Sequence, residues 1–314
     1  MAGRRLAGTG ERALVDQLRR LFDGDGRSGI GDDCAVIPWG EDVLLATTDL
    51  TTDGIHYTRD TPAELKGWYA AAVNISDIAA MGGKPLGLLM AYGMPRDTAK
   101  SEFDAISKGI QECARHHGVK VVGGDTKESS AMTIVGTAIG VAKKGRVLMR
   151  YGARKGDFIV LTGKLGRMSE WVETGGKRGI ERMMRIEARV KEGQALAAAG
   201  ATSCIDLSDG FALSVHYLSE ASKVGMSVDL NCIPFYPGIK SEEKQLEAVY
   251  AGGDYELLAT IPRKHFPKAK KAVERAGGTL SAIGAVGGSR VTYMDQCCVR
   301  PLERKGWQHF EDNR

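Results

Sequence analysis

Aspartates stand at the ends of apolar runs throughout this sequence, each close to a glycine, serine or threonine. The positions are Asp32, Asp33, Asp49, Asp77, Asp125, Asp206, Asp209 and Asp254. Taken singly, an aspartate beside glycine is typical of a turn or a helix cap. Taken together, carboxylates that alternate with Thr and Ser hydroxyls, without a cluster of histidines and cysteines, favour a site for a hard cation such as Mg²⁺.

Asp77 is the aspartate that a turn cannot explain. It lies between Ile75 and Ile78 in a run of small and apolar residues, and helical spacing places Asn74, Asp77 and Met81 on one side. A buried carboxylate without a partner is strongly destabilising. No Lys or Arg stands three or four residues away on that side. The sequence therefore leaves two alternatives for this carboxylate, a metal ion or an arginine from a distant segment.

Mg²⁺ in proteins usually bridges to phosphates, so an anion site is expected beside the carboxylates. The P-loop pattern G-x-x-x-x-G-K-[ST] does not occur. The two Gly-Gly-Asp turns could still offer backbone N–H groups to an anion, and Arg150 or Lys127 could neutralise it. The six histidines show neither H-E-x-x-H nor H-x-x-x-H spacing, so no zinc site is expected. The residues alone indicate Mg²⁺-dependent phosphoryl chemistry on a nucleotide.

Local patterns predict the helices and strands that must position these residues. Thr61 to Glu64 predicts a capping box with Pro at the first helical position, so a helix should run to about Met81. Another helix should begin near Asp97 and end before Gly118, and a third should follow Asp209. Strands are expected at 43–48, 120–122, 132–141, 158–162, 227–230 and 256–261.

This order of elements predicts an α/β (or α+β) chain in two halves. The segment 143–157 is polar and rich in turn residues. We therefore expect residues 1–148 to form an N-terminal domain and residues 149–314 a C-terminal one.

The composition excludes several other classes of protein. The chain has 314 residues, of which 43% are hydrophobic and 26% charged, as in ordinary globular proteins. Its formal net charge of +4 is too mild for a dedicated nucleic-acid binder, and no run approaches the ~18 apolar residues of a membrane span. Six cysteines without C-x-x-C pairing favour a reducing, cytoplasmic setting; they are Cys34, Cys113, Cys204, Cys232, Cys297 and Cys298.

Six motifs occur in an order that is found in one family. They are Gly-Ile-Gly-Asp-Asp-Cys-Ala-Val (29–36), Thr-Thr-Asp (47–49), Ala-Val-Asn-Ile-Ser-Asp-Ile-Ala-Ala-Met-Gly (72–82), Gly-Gly-Asp-Thr (123–126), Ile-Asp-Leu-Ser-Asp-Gly (205–210) and Asp-Tyr-Glu-Leu (254–257). The set resembles the thiamine-monophosphate kinases, which belong with aminoimidazole ribonucleotide synthetase and selenophosphate synthetase in one superfamily. The resemblance covers nearly the whole chain from about residue 11. It implies transfer of the ATP γ-phosphate to thiamine monophosphate, giving thiamine diphosphate and ADP.

The resemblance also implies roles for individual residues. The family's metal ligands fall on Asp33, Thr47, Thr48, Asp49, Asp77, Asp125, Asp206 and Asp209. Its nucleotide contacts fall on Gly124, Asp125, Arg150 and Ser208, and its substrate contacts on His56 and Trp307. No catalytic base is expected, because the acceptor phosphate is already anionic near neutral pH.

The same resemblance implies how the domains cooperate. The N-terminal domain would bind ATP and several Mg²⁺ ions, and its sheet would pair with that of a second copy in a homodimer. The C-terminal α/β domain would cover the site. One position departs from the family, which often has a substrate-contacting Glu immediately before Asp-Tyr-Glu; here Gly253 occupies that position.

Two alternatives to a thiamine-monophosphate kinase remain open at this point. One is another ATP-dependent enzyme of the superfamily, such as a selenophosphate or aminoimidazole ribonucleotide synthetase. Selenophosphate synthetases of this type carry a reactive Cys in an N-terminal Gly-rich segment, whereas no Cys precedes Cys34 here. The other is a non-catalytic nucleotide- or metal-binding sensor on the same scaffold, which would bind nucleotide without turnover.

Overall fold

The computed structural model of the protein describes residues 6–22, 30–295 and 298–310. Gly29, which opens the first motif, and Cys297 lie outside the described residues. The helices within these ranges are α1 (Glu11–Phe22), α2 (Ala63–Ala80), α3 (Lys100–His116), α4 (Arg167–Thr174), α5 (Gly176–Met184), α6 (Val190–Ala199), α7 (Phe211–Ser222), α8 (Glu242–Tyr250) and α9 (Phe266–Arg275). The strands are β1 (Ala35–Trp39), β2 (Asp42–Thr52), β3 (Lys84–Met94), β4 (Lys120–Glu128), β5 (Thr133–Lys143), β6 (Phe158–Thr162), β7 (Ser203–Asp206), β8 (Met226–Asp229), β9 (Leu257–Ile261), β10 (Leu280–Val286), β11 (Val291–Met294) and β12 (Val299–Pro301).

The N-terminal half is a five-stranded sheet with helices on one face. Its strand order is β1-β2-β5-β3-β4, antiparallel except for the parallel pair β3 and β4. Residues of β5 alternate between buried and half-buried positions, because α2 covers only one face of the sheet. A Cβ atom at Gly136 of β5 would lie 2.2 Å from Asn74 Nδ2 of α2. Glycine at this position lets the polar side of α2 lie directly against the sheet.

The C-terminal half is a seven-stranded sheet with helices on both faces. Its strand order is β12-β11-β8-β10-β6-β9-β7. Phe211 and Val215 of α7 pack on one face, and Leu196 of α6 with Val273 of α9 on the other. Every residue of β9 is buried, as expected for a central strand that is covered on both sides. Among the described residues, no helix has the length and apolar character needed to cross a bilayer.

Helix α2 joins the two halves. It is buried on nearly all sides, since it packs on β2 and β5 of the first sheet and on β7 and α6 of the second half. A helix that is apolar all round must lie in the interior of a protein. Polar groups on α2 are therefore placed between the two domains.

The predicted α/β class, the three helices and the six strands are confirmed. The predicted capping box at the start of α2 is wrong. Pro62 is the N-cap residue, and the Thr61 hydroxyl accepts a hydrogen bond from the Thr58 amide (3.0 Å) instead of capping the helix. Glu64 turns outward and pairs with Lys108. A local turn therefore competes successfully for the Thr61 hydroxyl.

Candidate active site

Three carboxylates from distant parts of the chain meet between the two halves. Asp33 precedes β1, Asp77 lies in α2, and Asp206 ends β7. One oxygen from each lies within 4.8 Å of the other two. Such close like charges repel unless protons or cations compensate them.

Hydroxyl groups on neighbouring elements orient these carboxylates. Thr47 Oγ1 of β2 donates to Asp77 Oδ2 (2.5 Å), and Ser76 Oγ donates to Asp206 Oδ2 (2.6 Å). Ser76 and Asp77 are consecutive on α2, so one turn of this helix contacts both halves of the chain. Asn74 adds a further link, since its Oδ1 accepts from the Asp49 amide (3.1 Å).

Asp49 and Asp209 extend the cluster. The Asp49 side chain shares a hydrogen bond with that of Asp77. Asp209 immediately precedes the Gly210 N-cap of α7, and its charge interacts with Asp49 and Asp33. Asp49 and Asp209 therefore lie in the same region as Asp33, Asp77 and Asp206, while a role as metal ligands stays a prediction for all five.

Arg150, in the segment between the two sheets, is the basic partner of this cluster. Its Nη2 donates to Asp33 Oδ1 (2.6 Å), and its backbone N–H donates to Asp32 Oδ1 (2.6 Å). Within the described part of the chain, no basic side chain pairs with Asp77. The distant arginine that the sequence left open as an alternative thus serves Asp33 and not Asp77.

Burial dominates the electrostatics of the site. It raises the pKa of Asp49 to about 6, of Asp209 to about 7 and of Asp206 to about 8, with neighbouring carboxylates adding to the effect. The pKa of Asp77 is raised well above its usual range by burial and then by Asp49. These groups titrate together, so the values belong to the cluster as a whole. A bound cation would offset both the burial of these carboxylates and the repulsion between them.

The available ligand atoms suit a hard cation. Asp33 Oδ2 is buried and has no hydrogen-bond partner among the described residues. The Cys34 thiol lies nearby, but burial and the charge of Asp77 raise its pKa, so it stays protonated and is a poor ligand. Carboxylate and hydroxyl oxygens remain, which is the donor set of Mg²⁺.

Other residues predicted for the site lie apart from the cluster in this chain. The Thr48 side chain is exposed and donates to Gly136 O (2.8 Å), because successive side chains of a strand point to opposite faces. Gly124 and Asp125 lie on the edge strand β4, which β5 and β3 separate from β2. Asp125 is exposed there and pairs with Lys127 (3.4 Å).

Ser208 lies between Asp206 and Asp209 in the sequence and is half-buried. Its carbonyl oxygen accepts from the Gly253 amide (2.8 Å). This contact joins the turn that carries Asp209 to the start of the Asp254-Tyr255-Glu256 motif.

The rings of the two predicted substrate residues, His56 and Trp307, both lie next to the ring of His309. The His309 ring centroid is 5.9 Å from that of His56 and 6.0 Å from that of Trp307. The Trp307 amide donates to Asp209 O (2.8 Å), which fixes the C-terminal segment beside the cluster. Burial and the neighbouring His309 lower the pKa of His56, so its imidazole is neutral at neutral pH.

A cavity of about 630 Å³ opens beside His56. One wall is the loop 53–61 that follows β2. The other wall is the helical hairpin α4–α5, which contributes Met168, Trp171, Ile180, Met183 and Met184. The walls are mostly apolar, with polar groups at one side, as is typical of small-molecule sites.

Asp254 and Glu256 hold the hairpin α4–α5 at both ends. Asp254 Oδ1 accepts from the Gly166 and Arg167 amides (2.9 and 2.8 Å) at the start of α4. Glu256 forms a two-point ion pair with Arg189, which follows α5. Between them, the Tyr255 hydroxyl lies 2.6 Å from that of Tyr69 on α2.

Sequence reasoning assigned no individual role to three polar residues of this region. Asp32 accepts from the Arg150 amide, His309 lies between the two predicted substrate residues, and the charge of Glu11 raises the pKa of Asp209. Asp32 belongs to the aspartate set of the sequence analysis and stands next to a predicted ligand, so its motif could have identified its role. Glu11 and His309 carry no local signal, because they are neighbours only in the tertiary structure. There the Glu11 amide donates to His309 O (2.9 Å), and the Glu11 carboxylate accepts from the His309 amide (3.4 Å).

Two family models match the chain. The model described as AIR synthase related protein, N-terminal domain, matches residues 31–142. The model of the corresponding C-terminal domain matches residues 154–295.

Named relatives match over nearly the full length. A thiamine-monophosphate kinase of Methanospirillum hungatei is 34% identical over 303 residues, covering 95% of this chain and 99% of the relative. One of Escherichia coli K12 is 32% identical over 304 residues, covering 90% and 91%. The solved structure of AaThiL complexed with AMPPCP and TMP is similar with a TM-score of 0.86 at 26% identity, covering 98% of this chain and 100% of that one.

Proposed function

The chain belongs to the AIR synthase related family and, within it, to the thiamine-monophosphate kinases, and we infer that it transfers the γ-phosphate of ATP to thiamine monophosphate. The observation that carries this inference is the meeting of Asp33, Asp77 and Asp206 between the domains. The similar structure of AaThiL holds AMPPCP, an ATP analogue, together with TMP. Both substrates of such a kinase therefore fit the fold that this chain adopts.

We propose that the carboxylate cluster holds Mg²⁺ ions with the phosphates of both substrates. Asp33, Asp49, Asp77, Asp206 and Asp209 supply oxygen ligands, and Thr47 orients Asp77. Bound Mg²⁺ supplies positive charge that neutralises the facing phosphates and aligns them. Two unit charges ~4 Å apart repel by ~4 kcal/mol at an effective dielectric constant of 20, and each phosphate carries more than one charge. Repulsion is thus the main barrier that this site must lower.

The transfer needs no general base. A phosphate oxygen of thiamine monophosphate forms the new bond to the γ-phosphorus, while the bond from that phosphorus to the β–γ bridging oxygen breaks and ADP leaves. The second pKa of a phosphate monoester is near 6, so the nucleophilic oxygen is already deprotonated. Arg150 lies at the edge of the cluster and is placed to neutralise a nucleotide phosphate.

The cavity beside His56 suits the organic part of thiamine monophosphate. Its first lining residue, Asp53, directly follows β2 and stands four residues after Asp49, which is roughly 13 Å at about 3.3 Å per residue. The thiazolium ring is a cation, and a neutral His56 beside the Trp171 ring can accept it without charge repulsion. The Glu that the family often has at position 253 is absent, so the hairpin α4–α5 carries more of the recognition.

A homodimer completes this proposal. The face of the first sheet opposite α2 has no helix over it in the described chain, and it exposes Leu50, Leu86 and Ile37 by 54%, 48% and 49%. An apolar sheet face of this kind is typical of a protein interface, and we propose a second copy as its occupant. Such pairing would bring Gly124 and Asp125, which the strand order keeps from their own cluster, towards that of the partner.

We further propose a domain boundary near residue 149 and a cytoplasmic location. The first sheet ends at Lys143 and the second begins at Phe158, so the boundary falls in the connecting segment. Cys34, Cys113 and Cys204 are free and buried, which suits a reducing compartment.

The decisive experiment is incubation of the purified chain with Mg²⁺, ATP and thiamine monophosphate. We expect ADP and thiamine diphosphate in equal amounts, and no thiamine diphosphate when EDTA is present. Nucleotide binding without turnover would instead favour the sensor, and turnover only with a different acceptor would favour another enzyme of the superfamily.

A further inference from the structure

A second group of potential metal ligands lies outside the carboxylate cluster. His116 is the last residue of α3, and His117 follows it as the C-cap. Glu187 lies about seventy residues further along the chain, between α5 and α6. One ligand atom of each residue lies within 4.8 Å of the other two. We propose that His116, His117 and Glu187 bind a transition metal ion of the Zn²⁺ class.

The geometry requires little movement to accept the ion. His116 Nε2 already lies 2.8 Å from Glu187 Oε2. Ligand atoms on a tetrahedral Zn²⁺ at about 2.0–2.2 Å are roughly 3.3 Å apart, so side-chain rotation alone can close the site. Trp68 Nε1 donates to Ile186 O (2.8 Å), which fixes the backbone beside Glu187. The Trp68 ring also packs against both imidazoles.

His117 points independently to a ligand. Its Nε2 is buried and has no hydrogen-bond partner among the described residues, which is unusual for a buried polar atom. Two imidazoles with one carboxylate form a donor set typical of Zn²⁺ and not of Mg²⁺.

The surroundings leave room for a fourth ligand. A cavity of about 350 Å³ adjoins His116 and is lined by Trp68, Glu112, Arg115 and Arg185. The acidic Glu112 and Glu187 offset the two guanidinium groups, and that of Arg185 lies 4.1 Å from the Trp68 ring centroid. Three protein ligands with one position open to water is a known arrangement for zinc. The ion would tie α3 to the base of the hairpin α4–α5.

The test is metal titration of the full chain after removal of bound metal with EDTA. Saturating Mg²⁺ is then added so that the carboxylate cluster is occupied, and Zn²⁺ is titrated against a chromophoric chelator. Wild type should bind one equivalent of Zn²⁺ that His117→Gln and Glu187→Gln lack. His265→Gln, which removes a histidine far from this group, is the matched control and should still bind it.

Two further measurements make the outcome decisive. Co²⁺ in place of Zn²⁺ should give the strong visible absorption of a four-coordinate site with nitrogen ligands, and the two variants should lose it. Zn²⁺ should raise the melting temperature of wild type and of His265→Gln only, while all variants melt alike without metal. Equal Zn²⁺ stoichiometry in wild type and His117→Gln would overturn the proposal. Kinase turnover should be retained in every variant, so this failure is distinct from failure of the proposed function.

Discussion

Asp77 of the N-terminal half and Asp206 of the C-terminal half hold carboxylate oxygens within 4.8 Å of each other. The hydroxyl of Ser76, the residue beside Asp77, donates to Asp206 (2.6 Å). The contact between the two domains therefore coincides with the carboxylate cluster. A cation at this point would serve both domain packing and phosphate binding.

Asp77→Asn should fold and yet lose most kinase activity at saturating Mg²⁺. The amide keeps the shape and the Thr47 contact but removes a charged ligand, so we expect kcat to fall at least about 100-fold. Steady-state kinetics with a far-UV circular dichroism control measure this. Asp104→Asn, on the exposed side of α3, is the matched control and should keep wild-type kcat. Retained turnover in Asp77→Asn would refute the metal role.

Stability without metal should fall as pH rises. The raised pKa values mean that Asp49, Asp209 and Asp206 bind protons in the folded state that they release on unfolding. Their stabilising effect is complete below the unfolded-state pKa of about 4 and is lost as pH rises from there through the folded-state values of about 6 to 8. We expect urea unfolding in EDTA to show a loss of at least about 1.4 kcal/mol, the equivalent of one pKa unit, over this range. Saturating Mg²⁺ should reduce the loss, and a metal-free stability that increases with pH would contradict the prediction.

Trp171→Ala should weaken binding of thiamine monophosphate. The side chain lines the cavity beside His56, so we expect its KM for thiamine monophosphate to rise about 10-fold, with the KM for ATP unchanged. The neighbouring Val172 is 69% exposed and does not line the cavity, so Val172→Ala is a matched control. Equal KM values in the two variants would place the substrate elsewhere.

Glu256→Gln should destabilise the fold and loosen the hairpin α4–α5. Its carboxylate pairs with Arg189 and accepts from Thr162 Oγ1 (2.7 Å), and breaking a buried ion pair typically costs about 3–5 kcal/mol. Urea unfolding measures this loss. Glu242→Gln breaks the exposed pair with Arg300, which solvent screens, and should change the stability far less than Glu256→Gln does. A similar cost in both variants would mean that Arg189 does not hold the hairpin.

Leu86→Glu should disrupt the proposed homodimer. It introduces a charge on the apolar outer face of the first sheet, where Leu86 is 48% exposed. Sedimentation or light scattering should show a monomer, and kinase activity should fall with it because Asp125 could no longer reach a partner. Leu21→Glu, at an exposed position of α1, is the control and should stay dimeric. A monomeric wild-type chain would refute this interface.

Local elements of the fold could be predicted because they depend on neighbours in sequence. The helix that carries Asp77 and the strands that end in aspartates followed from spacing, apolar runs and glycine positions. The wrong prediction of a cap at Thr61 also concerns residues close in sequence. The Thr61 hydroxyl accepts from the Thr58 amide in a local turn, so it does not cap α2.

The sequence by itself determined which residues are acidic, that Asp77 lies at least partly buried in a helix, and that a metal ion or a distant basic group should balance it. Only the tertiary structure decided which residues meet. Strand order keeps Asp125 three strands from Asp49, and the return of the C-terminal segment brings His309 to His56. Helical and strand periodicity acts over a few residues, whereas these meetings depend on how whole sheets and helices pack. Residues far apart in sequence therefore become neighbours without a local sign.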